Sequence, residues 1–185
     1  MSNNVQPQYP FPTSISSNHT HASFLAIWSK VEPEGNKPYA KVIMIVRADG
    51  SYGFPGGKMD ECDGMSVLQN ATREAHEEVG ARVDTHTTVT PHYYADDIRY
   101  LGACMCNESF YTHFCAVGIP LARLRDIMHT ASNASDFYDE CAGIVAFNWT
   151  PTVVRKLLDH SSLALSVREE IYQLSAMLAI EGLFN

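Results

Sequence analysis

Three carboxylates stand close together in the string TREAHEEVG: Glu74, Glu77 and Glu78, with Arg73 immediately before the first. At about 100° per helical residue they fall on one edge of a helix, within an arc of roughly 100°. Like charges at i, i+3 and i, i+4 repel by a few tenths of a kcal/mol per pair. The C-terminal half of a helix also disfavours anions through the macrodipole. Such a trio is unfavourable unless positive charge sits among the carboxylates. Arg73 neutralises part of it, and a hard divalent cation taking oxygen ligands would neutralise more. Taken alone, the string also fits a solvated acidic face.

The preceding loop argues for chemistry. Gly53-Phe54-Pro55-Gly56-Gly57 is too glycine-rich for a strand extension and too near the helix for a linker. It suits a tight turn whose backbone approaches a ligand closely. A glycine loop feeding a carboxylate-bearing helix is what diphosphate hydrolysis requires, because metal ions bridge phosphate oxygens and offset charge on the leaving group.

The elements that must position these groups can be read from the same chain. Ser66 offers an N-cap, Gln69 completes a capping box, and Gly80 stands where a C′ glycine stops the helix. Leu68, Ala71, Ala75 and Val79 form a neighbouring apolar arc that packs down. Apolar runs at 22–28 and 39–46 read as strands, separated by a Pro/Gly/Asn loop. Asp49-Gly50 signals a hairpin into a strand at 51–54. Residues 83–90, 110–117 and 144–148 read as further strands, while 95–109 reads as irregular. Helices are expected at 121–130, 153–160 and 166–180, the last opened by the capping-box pattern Ser166-x-x-Glu169. This irregular order predicts an α/β fold of mixed sandwich type rather than a doubly wound sheet.

With 185 residues, 45% hydrophobic and 18% charged, the chain has enough apolar material for one domain with a sizeable core. That composition excludes a disordered chain, a coiled coil and a collagen-like fibre. A net charge of -8 argues against coating nucleic acid by bulk charge, so an RNA ligand must be captured locally, at an end or a single nucleotide. No apolar run approaches the ~20 residues that span a bilayer. Residues 1–20 are polar and punctuated by Pro7, Pro10 and Pro12; they lack the marks of a signal peptide and are expected to form a flexible tail. The five cysteines (Cys62, Cys104, Cys106, Cys115, Cys141) fit reduced intracellular thiols. Cys104-Met105-Cys106 has no partner pair at metal-ligand spacing, so structural thiols are expected there. No extended Lys/Arg run marks nuclear import, which leaves cytoplasm and nucleus both open.

At the glycine loop and acidic helix the chain resembles the Nudix hydrolases, whose signature is G-x5-E-x7-R-E-U-x-E-E-x-G-U. Gly57, Arg73, Glu74, Ala75, Glu77, Glu78, Gly80 and Ala81 occupy the matching places. The interval from Gly57 to Arg73 is two residues longer than the pattern, and no glutamate stands at the upstream acidic position, although Glu61 and Asp63 are near it. The run VIMIVRADGSYGFPGGKMD narrows the resemblance to the small nucleolar RNA-decapping and inosine-diphosphatase branch. Thr112 to Ala116 before a Leu-rich helix, and Ser166-Val167-Arg168-Glu169-Glu170, add to it.

This resemblance implies a Nudix-type α/β/α sandwich with a mixed central sheet over residues 21–185. It implies Mg²⁺- or Mn²⁺-dependent hydrolysis of a phosphoanhydride in nucleoside diphosphates of the purine or inosine type, or in the 5′ cap of RNA, often by homodimers. Carried over residue by residue, Glu74, Glu77 and Glu78 become metal ligands with the Gly57 carbonyl as an extra one, and Glu74 and Glu77 catalytic groups. Arg73 orients a glutamate, and Gly80 ends the helix. Arg47 matches an arginine that contacts the nucleotide; without the resemblance it reads as a surface arginine at a hairpin end. Phe54 either stacks on the base or closes the loop from the core. His21 lies near a histidine used for base recognition, although an ungapped alignment puts Phe24 at that place. Glu140 aligns loosely with a glutamate of this branch and is a candidate general base; Glu108 is the other, and each also reads as a solvated loop acid. An ADP-ribose or nucleotide-sugar pyrophosphatase, and a non-catalytic RNA- or nucleotide-binding module, are the alternative functions.

Overall fold

The two apolar runs near the N-terminus build the centre of the sheet as β1 (Thr20–Val31) and β2 (Tyr39–Arg47). Their side chains alternate between two covered faces. Leu25, Ile27, Ile43 and Ile45 point one way, and Ala26, Trp28, Val42 and Met44 the other. Burial on both faces is why these runs are continuously apolar rather than alternating with polar residues. The computed structural model describes residues 10–13, 15–16, 18–59, 66–82, 92–164 and 166–184. The strand expected at 83–90, and Glu61 and Asp63, lie outside them.

The other strands are β3 (Tyr52–Gly53), β4 (Gly56–Lys58), β5 (Arg99–Asn107), β6 (Phe110–Gly118) and β7 (Cys141–Trp149). β1 pairs parallel with β6 and antiparallel with β2 and β4, while β2 pairs antiparallel with β3 and β7 and β5 with β6. Among the described residues the sheet has seven strands and is mixed. Along β1, the end that starts at Trp28 pairs with β2, whereas Ala22, Ser23 and Phe24 pair with β4. The glycine loop occupies the place where β1 and β2 part.

Helices α1 (Val67–Val79) and α2 (Leu121–Thr130), with the short α3 (Phe137–Glu140), cover one face. Helices α4 (Pro151–Leu158) and α5 (Val167–Ile180) cover the other through Val154, Leu157, Ile171, Leu174 and Leu178. The result is an α/β/α sandwich. α1 is capped as the sequence predicts: Ser66 accepts a hydrogen bond from the Gln69 N–H, and Gly80 adopts φ 68°.

Several expectations are corrected. The glycine segment does contribute a strand, because Gly56 to Lys58 complete a ladder on β1. Residues 95–109 hold β5, half-buried along most of its length and broken by two register shifts. Ser166 forms no capping bond to the α5 backbone; its hydroxyl donates to Glu170 Oε1. Of the segment expected as a flexible tail, the described residues include Phe11, whose ring lies 5.5 Å from that of Tyr100, and Ser16, whose carbonyl accepts from His21 Nε2 at 3.1 Å. Among the described residues no helix is long and apolar enough to cross a membrane.

Candidate active site

The β3–β4 glycine segment, β1, β6 and the start of α5 line one cleft, and the α1 edge packs against the same glycine segment. Gly56, at φ 151°, has no room for a side chain: a Cβ there would stand 2.3 Å from the Ser23 carbonyl oxygen. Its N–H donates to Glu78 Oε2 at 2.7 Å, tying loop to helix. Gly57 is needed for a different reason. A Cβ at that position would lie 2.7 Å from the Glu74 carboxylate, which packs directly on the loop backbone.

The three glutamates sit in graded environments. Glu78 is fully buried, and among the described residues its Oε1 has no hydrogen-bond partner. Burial pushes its pKa up to about 8, against the opposing pull of the Gly56 N–H and of Arg47; Glu74 and Glu140 add repulsion. Glu74 is buried and raised to about 7, first by desolvation; Arg73 acts against this, and Glu140 and Glu77 add to it. Glu77 is the half-exposed member. Arg73 spans two of them, with Nη1 donating to Glu77 Oε2 at 2.6 Å and Nη2 to Glu74 Oε1 at 2.7 Å. It thus orients glutamates, the role its place in the signature implies.

Asn70 went unrecognised in the sequence. It is fully buried, donates through Nδ2 to Ser23 Oγ (2.8 Å) and to the Gly57 carbonyl (3.0 Å), and accepts at Oδ1 from Arg73 Nη2 (2.8 Å). The available signal was its spacing, four residues before Glu74 and seven before Glu77 on the same helix edge.

The cleft has a volume of about 370 Å³. Phe24 and Phe110 supply aromatic surface, Arg47 and Lys58 positive charge, and Thr112 and Ser166 hydroxyls; Gly56 and Gly57 join it to the acidic helix. Arg47 lies at a bulge of β2 and reaches over Gly53. Its charge favours the ionised forms of Glu78 and of Glu170, a buried α5 residue otherwise raised to about 7 by desolvation. Arg47 therefore faces the site and is no ordinary surface arginine.

Two substrate contacts need correction. Phe54 is fully buried between Phe114 and Trp149, with ring centroids 4.9 and 6.3 Å away, so its ring belongs to the core and is not available to a base. His21 lies across β1 from Ala22 and Phe24, which line the cleft. It is buried, and its Nδ1 stands 3.0 Å from His113 Nε2. Phe24, the place given by ungapped alignment, is the one on the cleft. Of the two candidate bases, Glu140 ends α3 close enough to repel Glu74 and Glu78, whereas Glu108 is exposed in the β5–β6 turn. Cys104 and Cys106 are free thiols on β5.

Among the described residues no three His, Cys, Asp or Glu side chains are arranged as a ready metal cage. The donor set nevertheless fits a hard cation. It offers a buried Glu78 oxygen without a partner among the described residues, the Glu74 carboxylate packed against Gly57, the half-exposed Glu77, and the Gly57 carbonyl on the same glycine segment.

An α/β/α sandwich with a glycine loop against an acidic helix is the Nudix arrangement. A mutT/nudix family protein from Listeria innocua superposes on 90% of this chain and 98% of its own with a TM-score of 0.58 at 17% identity, which supports the fold. Residues 21–151 match the Nudt16-like family, described as U8 snoRNA-decapping enzyme-like, and the chain belongs to that branch of the Nudix hydrolases. It is 29% identical over 134 residues to a U8 snoRNA-decapping enzyme of Homalodisca vitripennis, covering 72% of this chain and 67% of that protein. A U8 snoRNA-decapping enzyme of Xenopus laevis is 30% identical over 105 residues, covering 56% of this chain and 46% of its own length.

Proposed function

We propose that this chain hydrolyses a phosphoanhydride bond in a purine or inosine-type nucleoside diphosphate, or in the 5′ cap of an RNA, and requires Mg²⁺ or Mn²⁺ to do so. The observation that carries the reading is the junction of an acidic helix, with one buried carboxylate oxygen left unpartnered, and a cleft bearing two cations and two aromatic rings. Glu74, Glu77 and Glu78, with the Gly57 carbonyl, would hold the divalent ion. When bound, that ion offsets charge building on the leaving phosphate and makes water easier to deprotonate.

The chain's own residues do the rest. Arg47 and Lys58 bind the phosphates, Arg47 as a planar fork suited to two oxygens at once. Phe24 and Phe110 offer faces on which a base stacks, an interaction worth roughly 1–3 kcal/mol per base. The oxygen of a water molecule bonds to phosphorus as the bond to the bridging oxygen breaks. The electron pair leaves with the departing phosphate, and Glu140 takes the water's proton. We place the protein inside the cell, in cytoplasm or nucleus, acting alone or as a homodimer.

The test is to incubate the protein with inosine diphosphate, guanosine diphosphate, ADP-ribose and capped RNA at matched Mg²⁺ or Mn²⁺. Release of phosphate from a diphosphate, or of the cap nucleoside phosphate from capped RNA, supports the reading. Cleavage of ADP-ribose alone reassigns the enzyme to nucleotide-conjugate hydrolysis. Binding without any product converts it to a non-catalytic module.

A further inference from the structure

We propose that Asn70 is a positioning residue of the site, fixing the Gly57 carbonyl and the Arg73 guanidinium and, through them, the oxygens offered to a divalent cation. This rests on the hydrolase reading above. A buried side-chain amide is costly unless its hydrogen bonds are made. Asn70 lies beside Ala71 on the packed edge of α1, where an apolar residue would serve the core at least as well. Its bonds instead go to three separate pieces of the molecule: Ser23 on β1, Gly57 in the glycine segment, and Arg73 on its own helix.

The orientation of the amide follows from its partners. Arg73 has only donors and the Gly57 carbonyl only acceptors, so Oδ1 must face the guanidinium and Nδ2 the loop. The Nη2 group that Asn70 holds is the same one that donates to Glu74, while Nη1 of that fork holds Glu77. One amide therefore sets the relative positions of the loop carbonyl and two carboxylates. A simpler role, lashing α1 to β1 through Ser23, would leave that relation untouched and is separable by mutation.

The experiment compares wild type with Asn70→Ala, Asn70→Asp and Ser23→Ala. Asn70→Asp keeps size and the acceptor toward Arg73 but turns an acceptor on the Gly57 carbonyl. Ser23→Ala removes only the strand contact. Direct Mn²⁺ binding without substrate is followed by the paramagnetic resonance of free Mn²⁺, alongside steady-state kinetics on inosine diphosphate and thermal melts. Both Asn70 variants should weaken Mn²⁺ binding about 10–100-fold and lower kcat to a similar degree. KM should stay within about 3-fold, and Ser23→Ala should stay within about 3-fold of wild type throughout. Should Asn70→Ala fail to fold, the near-isosteric Asn70→Asp decides. Mn²⁺ affinity and kcat close to wild type in the folded Asn70 variants, or equal losses in Ser23→Ala, overturn the inference and leave the hydrolase reading standing. A wild type that neither binds Mn²⁺ nor turns over any substrate overturns both.

Discussion

Glu78 carries the sharpest conflict between stability and chemistry. A carboxylate with a folded pKa near 8, against an ordinary value of 4.5, retains a proton that the unfolded chain releases. Its cost to the metal-free protein therefore grows as pH rises from 4.5 toward 8. Glu74 and Glu170, both raised to about 7, act in the same sense. His113 works from the other side. Burial and the neighbouring His21 hold it down to about 4 from 6.5, so it favours the fold while neutral and loses that contribution as pH falls through this range. These ranges overlap, and three carboxylates outweigh one histidine, so the metal-free melting temperature should fall as pH rises from about 5 toward 8, and Mn²⁺ should flatten that fall by supplying the missing charge. Glu78→Gln should cost at least about 100-fold in turnover. At pH 8 without metal it should melt about 2–4 °C higher than wild type, as ~1 kcal/mol does in a chain of this size. Melting curves across pH, with and without Mn²⁺, check both; a Glu78→Gln protein less stable than wild type at pH 8 contradicts the account.

At the scale of elements, the glycine segment separates fold from function at adjacent positions. Gly56→Ala would drive a methyl group into the Ser23 backbone at a φ hostile to side chains, and should cost at least about 2 kcal/mol in chemical denaturation. Gly57→Ala meets the Glu74 carboxylate first. It should melt within a few degrees of wild type yet lose about 100-fold in kcat, the scale of a displacement of roughly an ångström at a reacting group. This segment also marks the limit of what the sequence tells. α1 was legible to its caps because Ser66, Gln69 and Gly80 act locally. β4 was not, since Gly56 and Gly57 have no side chains to express a preference and their strand geometry is imposed by β1. β5 was hidden by Gly102, by cysteines and by register shifts on an edge of the sheet. Within the site the acidic trio and Arg73 stand in the signature, and Arg47 in the run that precedes it. Asn70 could not be read, because its role depends on which face of β1 meets α1; Phe24 is marked by ungapped alignment, and only the face of β1 that lines the cleft separates it from His21.

For the molecule as a whole, a net charge of -8 sets how an anionic substrate is met. The cleft itself offers two cations, Arg47 and Lys58. Binding of capped RNA should therefore weaken with salt along a log–log slope no steeper than about -1.4, the value for two neutralised phosphates on a single strand. Fluorescence titration of a capped oligonucleotide over a salt series measures it, and a much steeper slope would reveal a basic track outside the cleft. The sandwich also has a consequence for how the chain is made. The first strand's parallel neighbour, Phe110–Gly118, follows it by some ninety positions, as the His21–His113 contact across 92 residues records. While the ribosome is still translating that interval, Thr20–Val31 can find only Tyr39–Arg47 and Gly56–Lys58, and the edge that β6 will cover stays unsatisfied. Nascent chains should depend on chaperones until the second half has emerged, since pairing so distant in sequence is slow and exposes strand edges to aggregation.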